Sequence, residues 1–296
     1  MSHDPNDPND PYETHDHDLG FAHDLPRMVG RRRLLALFGG LGLGAAAGLP
    51  AAALDCVALP WETAGPYPAD GSNSRAGQVV NALTQEGVIR TDLRASFGGM
   101  AGAAEGVTLE LELRLVDADG CTPLEGHAIY LWHCDAEGHY SLYDAPEANW
   151  LRGVGVADEG GHVRFTTIVP GCYDGRWPHI HFEVFESVAA AVGGAASVLT
   201  AQIALPEDQA AALYAGDARY SNGTRNLGRI TIASDNVFGD NTDAEVAQQT
   251  LAMTGSAAAG FAGTVTIPVD FDADRSVGAP PPPPGGFGTG TPPPRE

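Results

Sequence analysis

The sequence predicts an all-β protein, a sandwich of short strands with few short helices between disordered ends. The first observation is strict alternation. From Val107 to Val116, the residues Val107, Leu109, Leu111, Leu113 and Leu115 fall on one face, while Glu110, Glu112 and Arg114 fall on the other. That period of two belongs to a half-buried strand. The second is spacing. Short apolar stretches recur between turn sequences such as Asp117-Ala118-Asp119-Gly120 and Asp158-Glu159-Gly160-Gly161. Many short strands with few helical stretches favour two packed sheets or a barrel over an α/β fold.

In chain order, residues 1–30 are rich in Asp, Pro, Asn and His and show no apolar periodicity. That is the composition of a disordered acidic leader. Its histidines, His3, His15, His17 and His23, are read as solvated and not as a site. Residues 31–53 open on Arg31-Arg32-Arg33-Leu34-Leu35 and run through Gly and Ala to Pro50-Ala51-Ala52-Ala53. Paired arginines before a weakly hydrophobic stretch that ends in small residues fit a twin-arginine export signal. The protein is therefore expected outside the cytoplasm: extracellular, periplasmic or attached to the envelope. A membrane tether would follow only from an uncleaved segment, and its glycines make a poor permanent span. Asp55 before Cys56 disfavours a lipid-modified cysteine.

Residues 54–275 are expected to hold the sandwich. Besides Val107–Val116, strands are predicted at Ala128–Cys134, His162–Ile168, His179–Phe185, Val198–Leu205, Arg229–Ala233 and Thr264–Phe271. Helices are predicted near Pro206–Tyr214 and Asp243–Met253. Residues 276–296 carry the unbroken run Pro280 to Pro284 and further Gly and Pro, a disordered tail without chemistry.

Charge narrows the partners. The net charge is −22, and all 16 basic residues are arginines. Nucleic acid and anionic membrane surfaces would repel such a chain. The four cysteines, Cys56, Cys121, Cys134 and Cys172, form no C-x-x-C pair, which disfavours a zinc ribbon or a thioredoxin-like site. In an exported protein they suggest one or two disulfides. Three pairings are open, as are free buried thiols. Nothing in the sequence gives the oligomeric state.

The densest chemistry lies between Pro170 and Phe182. In a strand, His179 and His181 point the same way, while Ile180, Phe182 and Val184 face the opposite layer. Two imidazoles on one face can chelate a single ion. Tyr173 lies in a glycine-flanked turn just before that strand, and Tyr140 follows the stretch from Trp132 to His139. Two phenolates with two imidazoles make a hard, mixed O/N set that suits Fe(III) better than Zn(II) or Cu(I). A tyrosine titrates near 10 in water, so a coordinated cation must supply its ionisation.

The ordered stretches Glu62–Tyr67, Pro123–Gly126, Trp132–Tyr140, Gly160–Pro170 and Tyr173–Phe182 resemble the intradiol ring-cleavage dioxygenases, the catechol and protocatechuate dioxygenase family. The likeness is to a compact secreted subgroup carrying the run Trp132-His133-Cys134-Asp135. The resemblance implies an intradiol-type sandwich and a resident Fe(III) held by Tyr140, Tyr173, His179 and His181. Tyr173 would be the axial ligand that leaves when substrate binds. It implies Arg176 as the cation that stabilises the activated substrate, Gln202 as a polar active-site residue, and Tyr67 as an aromatic beside the site. The implied substrates are a catechol-type diol and O2, cleaved between the hydroxylated carbons to a muconate-type diacid. Two other readings stay open at this point: a secreted metal-binding sandwich without turnover, and a structural β-domain. Five residues separate Tyr173 from His179, fewer than in the aromatic-ring enzymes of the family, so the resemblance leaves the particular diol undetermined.

Overall fold

The structure, a computed structural model, describes residues 56–273. The leader at 1–30, the signal segment at 31–53 and the tail at 276–296 lie outside the described residues. No helix among the described residues is long and apolar enough to cross a membrane.

A hairpin of β1 (Asp70–Arg75) and β2 (Gln78–Asn81) comes first. Then follow β3 (Thr108–Asp117), β4 (Ala128–Trp132), β5 (Arg152–Val156), β6 (His162–Ile168) and β7 (His179–Phe185). Helix α1 (Val188–Val192) leads to β8 (Leu199–Ala204). Three further helices, α2 (Glu207–Gly216), α3 (Gly223–Leu227) and α4 (Asp243–Gln249), precede β9 (Ala252–Ser256) and β10 (Gly260–Val269). Two four-stranded sheets result, ordered β6-β3-β10-β9 and β5-β4-β7-β8. Pairing is antiparallel except between β3 and β10, which run parallel from Leu109↔Phe261 to Asp117↔Val269. This is the all-β fold with few short helices that the sequence predicts.

Alternation decides what each sheet buries. Leu109, Leu111, Leu113 and Leu115 of β3 form one core with Ile129, Leu131, Ile180, Phe182 and Val184 of the facing sheet. Burial of such side chains contributes about 1.5–3 kcal/mol each. The other face of β4 and β7 is also covered. There Tyr130, Trp132 and Tyr140 cluster with Ala82, Leu83, Val88 and Phe97. Every residue of β7 is buried, so its two histidines lie in a closed layer and not on a wet surface.

Several predictions need correction. Arg229–Ala233 is not a strand. Thr231 caps a 3-10 turn at Ile232–Ser234, and the Thr231 and Ser234 side chains satisfy the backbone groups that a ladder would have used. The second predicted helix stops at Gln249, because Ala252 and Met253 already pair with β10. Strand β5 escaped sequence reading because two of its five residues are glycines. A Cβ at Gly153 would lie 2.5 Å from Leu93, and one at Gly155 a still shorter distance from Val163. The glycines are there for close approach between layers.

Cys56 and Cys121 form a disulfide across a separation of 65 residues, while Cys134 and Cys172 are free and buried. Chain entropy assigns a loop of that length about 4 kcal/mol. Reduced protein, or Cys121→Ser, is therefore expected to unfold in urea with about 4 kcal/mol less stability than oxidised protein. Equal midpoints for the two forms would contradict this.

Candidate metal centre

Strand β7 sets the first two donors. His179 and His181 share the face opposite the main core, and their Nε2 atoms lie 3.0 Å apart. His179 Nδ1–H donates to the Trp177 carbonyl at 2.5 Å, which leaves the Nε2 lone pair facing the cluster. His181 stacks on Trp132, its cross-strand partner, with centroids 5.0 Å apart and planes 3° from parallel. Its Nδ1 is buried with no hydrogen-bond partner among the described residues. The ring is held by stacking and by whatever meets Nε2.

The tyrosines arrive on two turns. Tyr173 Oη is 3.2 Å from His179 Nε2, and Tyr140 Oη is 3.5 Å from Tyr173 Oη. Asp135 Oδ1 accepts the N–H groups of Glu137, Gly138 and His139 at 2.9 Å each, and Asp144 takes the Tyr140 N–H at 2.7 Å. These bonds pin the Tyr140 turn. Gly138 has φ +99°, and a Cβ there would sit 2.9 Å from the Tyr173 Cβ. Only glycine lets the two tyrosine-bearing turns close on each other. Gly65, at φ +71°, crosses so near His181 that a Cβ would lie 3.2 Å from its Cε1. Tyr67 then covers Tyr140, with ring centroids 4.9 Å apart.

The donor set fits one small cation. Ligands bonded at about 2 Å to a single ion sit about 2.8–3.3 Å from each other. In the run Tyr140–Tyr173–His179–His181 the steps of 3.2 and 3.0 Å fall in that range, and the 3.5 Å step between the two phenol oxygens is slightly wider. No group of three or more His, Cys, Asp or Glu among the described residues could hold a metal ion, so this centre depends on its tyrosines. Burial pushes the Tyr173 phenol up to about 12 and that of Tyr140 well above its ordinary value. Burial also pushes His179 down to about 3 and His181 well below the usual imidazole range. Both histidines are thus neutral, the ligand form, whereas the phenols need a strong Lewis acid to ionise. That combination matches a hard, highly charged cation.

Beside the donors stands a polar relay. Arg176 donates through Nε to Asp235 at 2.9 Å and through Nη2 to Gln202 at 2.7 Å and Asp235 at 3.3 Å. Gln202 Nε2 donates to the Thr63 carbonyl, and its backbone N–H meets Glu62 Oε2 at 2.9 Å. Glu62 also accepts from Asn241 and Gln249. Burial drives the Glu62 carboxyl up to about 8, against these hydrogen bonds. The structure thus brings Tyr140, Tyr173, His179, His181, Arg176 and Gln202 into one region, with Tyr67 above Tyr140. Sequence reading missed Asp235, which looks like a turn residue in Ser234-Asp235-Asn236, and gave Glu62 no role.

His133 lies behind the centre. Its Nδ1–H donates to the Cys134 carbonyl at 2.8 Å, and its Nε2 accepts from Thr167 Oγ1 at 2.7 Å. Burial lowers it to about 4. The folded state then binds fewer protons than the unfolded state below pH 6.5. The stability that neutral His133 gives is whole above pH 6.5 and is lost as pH falls towards 4. The loss over that window is about 3 kcal/mol, from a value lowered to about 4. His133→Gln should flatten the pH dependence of urea unfolding by about that amount. Parallel profiles for variant and parent would refute the assignment.

Comparison with known proteins bears on the family resemblance and the fold. Residues 86–179 match the family model described as Dioxygenase. A catechol 1,2-dioxygenase of Pseudomonas sp. (strain EST1001) is 31% identical over 70 residues, which is 23% of each chain. The chain thus aligns with about a quarter of that relative's length. An intradiol ring-cleavage dioxygenase from Tetranychus urticae superposes with a TM-score of 0.56 at 22% identity, covering 75% of this chain and 98% of that one. A second solved dioxygenase gives 0.55 at 22% identity, with the same coverage. The family resemblance and the fold read from the sequence are both borne out by these matches.

Proposed function

We propose, from a chain that resembles the intradiol ring-cleavage dioxygenases in motif order, family match and fold, that this protein is an exported ferric dioxygenase acting on a catechol-type diol. The observation that carries the reading is the unbroken run of donor atoms from Tyr140 to His181, at 3.0–3.5 Å spacing with both imidazoles neutral. Tyr140, Tyr173, His179 and His181 would hold Fe(III). When bound, that ion supplies a Lewis acid that polarises the chelated diol towards O2.

The chain's own residues do the rest. Trp177 fixes the His179 tautomer, and Trp132 fixes the plane of His181. Tyr173 is the partly buried tyrosine of the donor set, so of the two phenols it would be the more readily reached by substrate. Its phenolate would be a strong base, because burial holds the phenol near 12. It therefore takes up and keeps a proton from the substrate hydroxyl at neutral pH. Arg176 keeps its charge through Asp235 and faces the same space, where it would stabilise negative charge growing on the ring. Gln202 fixes the Arg176 direction from the other side. Both oxygen atoms of O2 end in the diacid product, so no external reductant is needed. The Cys56–Cys121 disulfide supports an oxidising compartment, in keeping with residues 31–53 as an export signal.

The test uses purified full-length protein loaded with ferric iron. A red-brown tyrosinate charge-transfer band is expected, with O2 uptake and diacid formation on at least one member of a catechol panel. A coloured protein inert to the whole panel would reduce the function to metal binding. A colourless loaded protein would remove the ligand assignment.

A further inference from the structure

Arg152 is a fully buried arginine, 1% exposed, on β5 opposite Trp132. Among the described residues it has no carboxylate partner. Its donors all go to neutral oxygens. Nε donates to Ser141 Oγ and Nη2 to the Ser141 carbonyl, each at 3.0 Å. Nη1 donates to the Pro68 carbonyl at 2.9 Å and to Tyr130 Oη at 3.2 Å. Tyr130 Oη donates in turn to the same Pro68 carbonyl at 2.8 Å.

A buried cation with no counter-charge is costly, and an apolar side chain of the same volume would fill the space more favourably. What the guanidinium adds is its planar fork. That fork holds two segments at once. Ser141 follows Tyr140, and Pro68 follows Tyr67, whose ring packs 4.9 Å from Tyr140. Tyr143 completes the grip. Its ring lies 5.5 Å from the Arg152 carbon, and its hydroxyl accepts the Ala69 N–H.

We propose that Arg152 is a positioning residue that locks the Tyr140 turn against the Tyr67 segment, and so sets the direction from which the Tyr140 oxygen meets the bound ion. The proposal rests on the ferric-tyrosinate reading for its effect on iron, but the lock itself does not need the ion. Arg152→Lys keeps the charge and loses the fork. Ser141→Ala keeps the guanidinium and removes one acceptor. Met253→Ala, in the edge strand β9 of the other sheet, serves as a destabilised control.

In metal-free protein, amide exchange at residues 139–144 and 66–69 should rise about tenfold or more in Arg152→Lys, with the rest of the sheet unchanged. In iron-loaded protein the charge-transfer band should move and kcat should fall about tenfold, with KM nearly constant. The Met253→Ala control should leave the band where it is. Ser141→Ala should move exchange and band in the same direction by less. If Arg152→Lys does not fold, Ser141→Ala decides. Parental exchange and an unmoved band in the folded variants would overturn the proposal. A colourless parent would sink the ferric reading alone, and the metal-free exchange would still test the lock.

Discussion

His179→Ala protein is expected to purify folded and colourless, with iron affinity lowered at least about a hundredfold. The substitution removes the donor at the middle of the row. His179 Nε2 is the atom within 3.0 Å of His181 and 3.2 Å of Tyr173, so its loss leaves Tyr173 and His181 without a bridge between them. The remaining phenols would also revert to their buried, protonated form, because burial holds Tyr173 near 12 and no cation opposes it. The fold should survive. The His179 side chain lies in the aromatic layer outside the main core, and Ile180 and Phe182 on the other face keep their contacts. Metal analysis and the visible spectrum check this directly, with far-UV circular dichroism as the folding control. Tyr140→Phe should give an intermediate result, with reduced colour and retained imidazole donors. Iron content equal to the parent in His179→Ala would mean that the histidines and tyrosines are packing residues only.

How much of this site was legible in the sequence depends on which physical signal each residue left. The histidines of β7 were readable because strand alternation sends residues 179 and 181 to one face whatever the rest of the fold does. Tyr140 and Tyr173 carried no such periodicity. Their approach depends on a turn pinned by Asp135 and on the missing side chain of Gly138; their places in turns beside the strands make them candidates, and the order of family motifs implies the role. Strand β3 was readable from its leucines, whereas β5 was hidden by glycines whose purpose is contact with another layer. Asp235 left no signal at all. It lies 59 residues from Arg176 and outside any regular element, and its role appears only when the loop folds back over Trp177. Arg152 is similar, since its acceptors lie 11, 22 and 84 residues away. Local pattern reports which face a side chain takes, while buried polar partners are set by long-range closure.

Asp235→Ala should be the most damaging substitution near the site, lowering unfolding stability by about 3–5 kcal/mol. The carboxylate is fully buried and accepts from Arg176 Nε at 2.9 Å, and from the backbone N–H groups of Trp177, Val237 and Phe238 at 2.7, 2.8 and 3.1 Å. Its removal leaves a largely buried guanidinium without its counter-charge and three amide groups without an acceptor. Burial alone would raise this carboxyl. The Arg176 charge and the hydrogen bonds outweigh it and hold the group below its ordinary value. The sign of the pH dependence follows. With the folded value below the unfolded one, the stabilisation is whole above the ordinary carboxylate range. It disappears as pH falls through the depressed value. The gap between parent and variant should therefore be wide at pH 7 and narrow on acidification below about 4. Activity should fall with it. Arg176 would lose its direction, a loss of about a hundredfold or more in kcat for a group that stabilises developing charge. Trp177, whose carbonyl fixes His179, would lose its anchor too, so iron should be held less tightly. Asp235→Asn separates these effects. It keeps one acceptor and the volume but loses the charge, so it should recover part of the stability and little of the kcat. Urea unfolding at pH 7 and at about pH 2–3, with kcat at pH 7 on the best catechol, measures both. A stability loss below about 1 kcal/mol, the range of an exposed ion pair, would show that the Arg176–Asp235 contact is not the buried, charge-bearing link that orients the site.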